Sequence, residues 1–489
     1  MEELSSKFKN KTFWAFLALH LIIWTSVSLI RTILPTDVLE GIYWGSFWDL
    51  GTTKHPPLAG WVTYFVYNLF KTDFSIYLLS QTCILIGFIY TYKLARFFLD
   101  ETKSILSVIL LEGCWCYSYI TGYYGFNPDV ILFLTLPAIT YYFYKCMKTS
   151  KPLDWLKLAL FVGFSFLNKY QTALTIIPMF IWAIIFKREV FKDIKTYLAM
   201  GIAFLIFLPH IFWLFQHDFL PFSYFEGELT ATCWYSCITK PLIFALVQLG
   251  VIAGSILIFA LLKIKEGNKF ELIKDYDKKD FWYLILVGLT PLVIHLLMGV
   301  FSGGTMRPRW GFTFLYLTGI MLFYFIPCKI TKKEFMLAVK SALTIMFLTL
   351  ISFGTLLAVE KNFRSRYPVP VVFEDMKTIW AKEYKTPLKY VGGYIEYAIP
   401  LTIYGDTHPD ILLDTFKKPL WLDPQDIRKS GVLIIDRHPD GVINWTNRTV
   451  PNWDENTEIN PIPYKFTVHN AFNMPREYTV YYYIVPPQN

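Results

Sequence analysis

Two acids and a scattered set of cations stand out in a chain that is otherwise apolar. Asp37 follows a long hydrophobic run, within Thr36-Asp37-Val38-Leu39-Glu40-Gly41. Lys54-His55-Pro56-Pro57-Leu58 comes shortly afterwards, and its proline pair stiffens the backbone so that Lys54 and His55 can be held in fixed directions. Asn127-Pro128-Asp129 opens another apolar run, Asn168-Lys169-Tyr170 separates two short ones, and Arg307-Pro308-Arg309-Trp310 follows Gly303-Gly304. A lysine–histidine pair can bind phosphate, and arginine grips it in a forked way that lysine cannot. A carboxylate set among such cations can take a proton from a hydroxyl, while the cations stabilise charge on a departing phosphate.

Each residue also has a plainer explanation. Thr36, Asp37 and Asp129 all make good helix caps, and lysines near a membrane can snorkel to the headgroups. Capping explains each acid singly, but not Lys54 and His55 placed directly before two prolines. CxC at Cys114 and Cys116 has a metal-like spacing, but its flanks are apolar and no second ligand pair accompanies it, so it reads as buried thiols. Cys233 and Cys237 share a loop, and at a spacing of four the sequence leaves a disulfide open.

The elements that must position these residues are membrane helices. The chain has 489 residues, of which 54% are hydrophobic, 19% aromatic and 17% charged. A soluble domain averages about 25% charged residues, so soluble and disordered classes are both excluded. The net charge of +8 needs no nucleic acid, because in a membrane protein the placement of Lys and Arg matters more than their number. Apolar runs recur at about 12–34, 74–95, 105–123, 129–147, 155–168, 171–187, 195–215, 239–263, 281–301, 310–328 and 336–357, which predicts eleven spans. The first run follows Lys7, Lys9 and Lys11 and is too long for a cleaved signal. With the N-terminus inside, alternate loops such as Lys263–Lys279 and Lys329–Lys340 carry most of the basic residues, as the positive-inside rule expects.

On that count Asp37, Lys54, Asp129, Lys169, Arg307 and Arg309 all fall on the outer side. Residues 38–70 read as two interfacial helices rich in Trp and Tyr. Residues 1–357 thus form a transmembrane domain. Residues 358–489 hold no membrane-length run and alternate short β-rich stretches, such as 431–435 and 478–485, with turns. They predict a small outer α/β domain. Its His and Asp residues near 404–409 and 436–441 are better explained by turn chemistry than by a metal site.

The ordered motifs Asp37-x-x-Glu40, Trp44-Gly45, Lys54-His55-Pro56-Pro57-Leu58, Trp61, Asn127-Pro128-Asp129, Asn168-Lys169-Tyr170 and Arg307-Pro308-Arg309-Trp310 resemble the bacterial branch of glycosyltransferase family 39. These are GT-C enzymes, related to protein O-mannosyltransferases and to the lipid A aminoarabinose transferase. The resemblance covers about residues 12–330. It implies a GT-C fold and an inverting transfer of a sugar from a polyprenyl-phosphate carrier, such as undecaprenyl phosphate. The acceptor implied is an envelope glycolipid or glycan of the lipid A or lipopolysaccharide type.

By the resemblance Asp37 matches the catalytic acid, Asp129 the second-loop acid and Lys54 the phosphate-binding lysine. Glu40 suggests the lipopolysaccharide-type branch. From chemistry, Arg307 and Arg309 join Lys54 on the phosphate, helped by His55 and Lys169, while Glu40, Tyr170 and Asn127 support the acceptor side. Asp129 orients Lys54 or the acceptor, or shares a divalent metal (Mg or Mn) with Asp37. If the acceptor is itself a phosphate, no base is needed and Asp37 orients it. The expected location is a bacterial inner membrane with the N-terminus cytoplasmic and the C-terminal domain periplasmic. The other readings are a polyprenyl-lipid flippase and a protein O-glycosyltransferase. A flippase fits less well, because its charges gather near the midplane in repeated halves, whereas here they gather at one face and no repeat is visible.

Overall fold

A computed structural model describes residues 5–229, 233–267, 270–412, 421–454 and 456–488. The chain divides into two compact units. The first comprises Met1–Val27, Leu50–Ala59 and Phe74–Phe353; the second comprises Ser28–Asp49, Gly60–Asp73 and Gly354–Asn489.

The helical part runs α1 (Ser6–Ser28), α2 (Thr36–Ser46), α3 (Leu58–Phe70), α4 (Asp73–Ala95), α5 (Glu101–Ile109), α6 (Tyr119–Tyr124), α7 (Pro128–Thr149), α8 (Pro152–Asn168), α9 (Ala173–Phe186) and α10 (Ile194–Gln216). It continues through α11 (Leu220–Glu228), α12 (Ser236–Glu266), α13 (Lys278–Ser302), α14 (Arg309–Phe312), α15 (Thr318–Phe325) and α16 (Lys332–Val359). All eleven apolar runs are helical, but they differ in length. Among the described residues seven helices are long and apolar enough to cross a membrane: α1, α4, α7, α10, α12, α13 and α16. An eighth crossing would be the pair Glu101–Gly113 and Trp115–Tyr124, bent by 78°. The remaining three runs form α8 of 17 residues and the shorter apolar helices Tyr170–Phe186 and Leu315–Phe325. Apolarity thus marks eleven helices, and length reduces those able to span alone.

Several polar side chains buried inside this unit are paired, which offsets the cost of placing them in an apolar bundle. At the bend, His20 Nδ1 lies 2.6 Å from Glu112 Oε2, and Trp24 Nε1 donates to Glu112 Oε1 at 3.1 Å. Small residues let backbones approach: a Cβ on Gly113 would lie 2.3 Å from Ser255 N of α12. Close backbone contact of this kind is a usual basis for helix packing in membranes. Leu198, Phe204, Phe212 and Phe215 leave one side of α10 apolar and exposed.

The second unit adds α17 (Phe363–Arg366), α18 (Val369–Glu383), β1 (Tyr390–Gly393), α19 (Ile395–Tyr404), β2 (Asp410–Leu412), α20 (Pro424–Ser430), β3 (Val432–Asp436), α21 (Pro439–Thr449), β4 (Ile462–His469) and β5 (Pro475–Val485). Its sheet has the order β2-β1-β3-β5-β4. β1 pairs in parallel with β2 and β3, and Val391 lies opposite Leu433. β5 runs antiparallel to β3 and β4. β1 and β3 are buried throughout, so both faces are covered. Val432 and Ile434 pack with Ile427 of α20 and Val442 of α21 on one face. The alternate residues Leu433 and Ile435 face the opposite side, where α19 packs.

α2 belongs to this unit. It packs on α19, and the Tyr43 hydroxyl accepts from Ile411 N at 3.3 Å. Phe47 stacks on Trp421 at 4.7 Å, and Trp421 Nε1 donates to Asp49 at 2.8 Å. Tyr404 accepts from Leu34 N at 2.9 Å and donates to Asp73 at 3.0 Å. The described cysteines are all free thiols, so the Cys233–Cys237 disulfide left open by the sequence is not formed. Residues 405–409 form a turn in which His408 reaches Thr402 O at 3.1 Å, and 436–441 is the bend from β3 into α21, where Asp436 accepts from His438 N at 3.0 Å.

Gly393 sits at φ +110°, and a Cβ there would lie 2.0 Å from Ile435 O. Gly393→Ala is expected to lower stability by about 1–3 kcal/mol, the cost of one strained backbone position. A fall in the thermal midpoint of the purified protein checks this.

Candidate functional site

In the first unit the site is built outward from the start of α7. Asn127 caps that helix, its Oδ1 accepting from Asp129 N at 2.9 Å and Val130 N at 3.3 Å. Neither acid fills the capping role open to it in the sequence. Asp129 lies in the first turn behind Asn127. Asp37 lies in the first turn of α2, whose cap is Pro35 with no side-chain bond. A short polar side chain caps best from the residue before the helix, and both acids come just after that point. A first-turn acid still meets the positive end of the helix dipole.

Asp129 forms an ion pair with Lys169, and both side chains are largely buried. Lys169 is the extended residue after α8. Its neighbour Asn168 donates to Pro128 O at 2.8 Å, tying the end of α8 to the start of α7. Tyr170 then reaches His210 Nε2 at 2.6 Å, and His210 Nδ1 meets Leu50 O at 2.7 Å. Donation to Leu50 O fixes the tautomer in which Nε2 accepts from the Tyr170 hydroxyl.

That chain of contacts anchors the segment bearing Lys54 and His55. Gly51 lies flat on Trp213, where a Cβ would approach the ring to 2.3 Å. Thr52 closes a tight turn: its hydroxyl donates to His55 O at 2.9 Å and accepts from His55 N at 3.0 Å. Lys54 Nζ lies over the Tyr224 ring, 5.8 Å from its centre. Tyr224 and Arg307 both reach Glu228 Oε1, at 3.3 and 2.5 Å. The arginine loop is held by its carbonyls, with Gln248 donating to Pro308 O at 2.8 Å and Gln171 to Trp310 O at 2.5 Å. Arg309 stacks over Tyr124 at 5.0 Å. Beside it a small cleft is lined by Tyr124, Asn127, Asp129, Phe133, Arg309 and Phe312.

These pieces converge on His55. Removal from water lowers its pKa well below the usual imidazole value, and Lys169, Lys54, Arg309 and Arg307 push it further the same way. Four cations from three stretches of sequence therefore act on one imidazole. Such a place suits an anion with several oxygens.

The sequence expectations brought together here are Lys54, His55, Asp129, Lys169, Arg307 and Arg309. Asn127 acts as a cap and Tyr170 as a brace for the Lys54 segment. The partner the structure gives Asp129 is Lys169. Asp37 and the buried Glu40 lie on α2 of the second unit. Among the described residues no group of three or more His, Cys, Asp or Glu side chains gathers as a metal site. Sequence reasoning missed Tyr224, Glu228, Gln171, Gln248 and His210. His210 and Gln248 interrupt apolar helices, and that interruption was the available signal.

Residues 54–213 match the family described as dolichyl-phosphate-mannose-protein mannosyltransferase. The whole fold is similar to that of ArnT from Cupriavidus metallidurans. Against the structure bound to undecaprenyl phosphate the TM-score is 0.63 at 11% identity, covering 97% of this chain and 99% of that one. Against the apo structure it is 0.60 at 12% identity, covering 97% and 98%. No curated protein matches the chain by sequence. The chain is thus a polytopic α-helical membrane protein with the ArnT-like GT-C fold and a small C-terminal sheet domain.

Two outcomes follow. Lys169→Met strands Asp129 and should cost about 3–5 kcal/mol, as breaking a buried pair does. Adding Asp129→Asn should recover part of that in a thermal double-mutant cycle. His55 has a depressed folded pKa, so it is neutral when folded and gains a proton on unfolding below the unfolded value of 6.5. Stability should therefore decline as pH falls below that value. His55→Gln should flatten this decline in a thermal-midpoint series against pH.

Proposed function

We propose that this protein is an inverting glycosyltransferase that moves a sugar from a polyprenyl-phosphate carrier to an envelope glycolipid or glycan. The observation that carries the reading is the convergence of Lys54, Lys169, Arg307 and Arg309 on His55. A lipid phosphate bearing a sugar needs its phosphate neutralised while bound and stabilised as it leaves. The ArnT-like fold and the family match over residues 54–213, which contain Lys54, His55, Asp129 and Lys169, support the same reading.

In the proposed reaction Asp37 takes a proton from the acceptor hydroxyl. The hydroxyl oxygen attacks the sugar C1 from the face opposite the phosphate. The C1–O bond to phosphate breaks, its electron pair stays on the phosphate, and the configuration at C1 inverts. Lys54, Arg307 and Arg309 hold the phosphate, with neutral His55 offering a further hydrogen bond. Asp129 holds Lys169 in place through their ion pair. Glu40, Asn127 and Tyr170 support the acceptor side and the loops around it.

The protein is placed in a bacterial inner membrane, with the N-terminus cytoplasmic and residues 358–489 periplasmic. Protein acceptors are a second reading, favoured by the family match to protein mannosyltransferases. A divalent ion shared by Asp37 and Asp129 is part of the proposal only if chelation matters. With four cations facing the phosphate and Lys169 already on Asp129, transfer is expected to survive EDTA. Loss of transfer on chelation, restored by Mg or Mn, would assign the metal.

The test is transfer by the purified protein from radiolabelled polyprenyl-phosphate sugars to extracted envelope lipids and to protein acceptors. Asp37→Asn should cut kcat by about 10²–10⁴-fold, the range for a general base. Lys54→Ala and Arg307→Ala should raise the donor KM. Substantial transfer by purified Asp37→Asn would sink the base assignment. No transfer from any donor, together with saturable carrier binding, would favour a flippase.

A further inference from the structure

The strand order of the second unit creates a feature that the reaction above does not use. β1 continues into α19, which packs on one face of the sheet, whereas β3 continues into α21 on the other. β1 and β3 are adjacent and parallel, so the chain diverges at their carboxyl ends. In open α/β sheets ligands bind in the crevice at such a switch point.

The floor of this crevice is backbone held close, with Tyr394 N donating to Ile435 O at 2.9 Å. Its walls are Tyr394 and Glu396 after β1, Asp436 and the exposed Arg437 at the end of β3, and Arg364, whose Nε meets Glu396 at 2.7 Å. Beneath the rim lies Tyr397, fully buried and stacked on Phe363 at 4.4 Å. Burial raises its pKa, and Arg437, Glu396 and Asp436 all act on it, which sets the phenol under those three charges. Among the described residues its hydroxyl has no hydrogen-bond partner. A buried hydroxyl left unpaired is costly, and a ligand hydroxyl entering the crevice would satisfy it.

The charges indicate which ligand. Arg364 and Arg437 are matched in number by Glu396 and Asp436, so the crevice carries no net charge. An uncharged, hydroxyl-rich molecule fits that balance. Asp436 already accepts from His438 N and Trp445 Nε1, whereas the planar Arg and Glu groups can pair with neighbouring hydroxyls, and the Tyr394 ring can carry the apolar face of a sugar. We propose that the crevice at the carboxyl ends of β1 and β3 is a saccharide-binding site that holds a sugar unit of the acceptor. The word acceptor rests on the transferase reading; saccharide binding itself does not.

The experiment uses the full chain in detergent and saturation-transfer NMR with glucose, galactose, mannose and N-acetylglucosamine as probes. At least one should bind, and Tyr397→Phe should weaken it by about fivefold or more, the loss of one good hydrogen bond. Tyr397→Phe removes only an unpaired hydroxyl and Arg437→Ala only an exposed side chain, so both should fold. Arg437→Ala should also weaken binding, whereas Lys54→Ala, in the other unit, should not. No binding by any of the four sugars overturns the proposal, as does binding unaffected by both crevice variants or lost in Lys54→Ala. Transfer assays separate the two readings. If no polyprenyl-phosphate sugar serves as donor but binding still depends on Tyr397, the transferase reading fails and the crevice stands. If transfer proceeds and Arg437→Ala leaves the acceptor KM unchanged, the crevice does not hold the acceptor.

Discussion

A lysine ammonium and a carboxylate drawn into the mouth of an apolar helical bundle must find each other, because neither keeps its water there. Asp129 and Lys169 meet that constraint, and much of the first unit is arranged around their meeting. Asn127 places Asp129 by capping α7, and Asn168 ties the end of α8 back to the same turn. With Lys169 held extended, Tyr170 is delivered to His210, and His210 grips the carbonyl of Leu50. Lys54 and His55 follow four and five residues later on a turn closed by Thr52. One ion pair is thus linked, through side chains that each satisfy a neighbour's backbone, to the placement of a second lysine more than 100 positions away in sequence.

The arginine loop obeys the same accounting. A loop among membrane helices cannot leave its carbonyls unpaired. Gln171 and Gln248 take two of them, and Glu228 takes the Arg307 guanidinium. The outcome is a cluster whose cations come from distant segments yet act on a single imidazole. The crevice of the second unit makes a different use of charge. There two arginines are matched in number by two acids, so what is left for a ligand is hydrogen bonding and aromatic surface rather than net charge.

Several features were legible in the residues. Eleven apolar runs became eleven helical segments, because a stretch without water must satisfy its backbone internally. Their ability to span was less legible, since α8 and the Tyr170–Phe186 and Leu315–Phe325 helices are short and the 101–124 segment is bent. Beside the bend Glu112 is met by His20 and Trp24, contacts between residues about 90 positions apart. The two helices expected over 38–70 are present, but α2 folds with the sheet domain through Tyr43 and Trp421. Its apolar, aromatic composition would serve a membrane surface or a domain core equally well. Lys54, His55, Asp129, Lys169, Arg307 and Arg309 were legible because a fixed charge is rare in such a chain. Tyr224 was not, since one tyrosine among 32 carries no local mark.

The sequence by itself determined the class of the molecule: a low charge, long apolar runs and a polar C-terminal segment admit little besides a membrane bundle with an appended domain. It also singled out the residues able to meet a phosphate, because solvation cost makes every charge in such a chain conspicuous. Only the tertiary structure decided who pairs with whom. Asp129 took Lys169, Glu228 took Arg307, and among the described residues the Tyr397 hydroxyl was left without a hydrogen bond. Pairing depends on distances across the fold, set by helix packing and strand order, and neither residue type nor spacing along the chain records them.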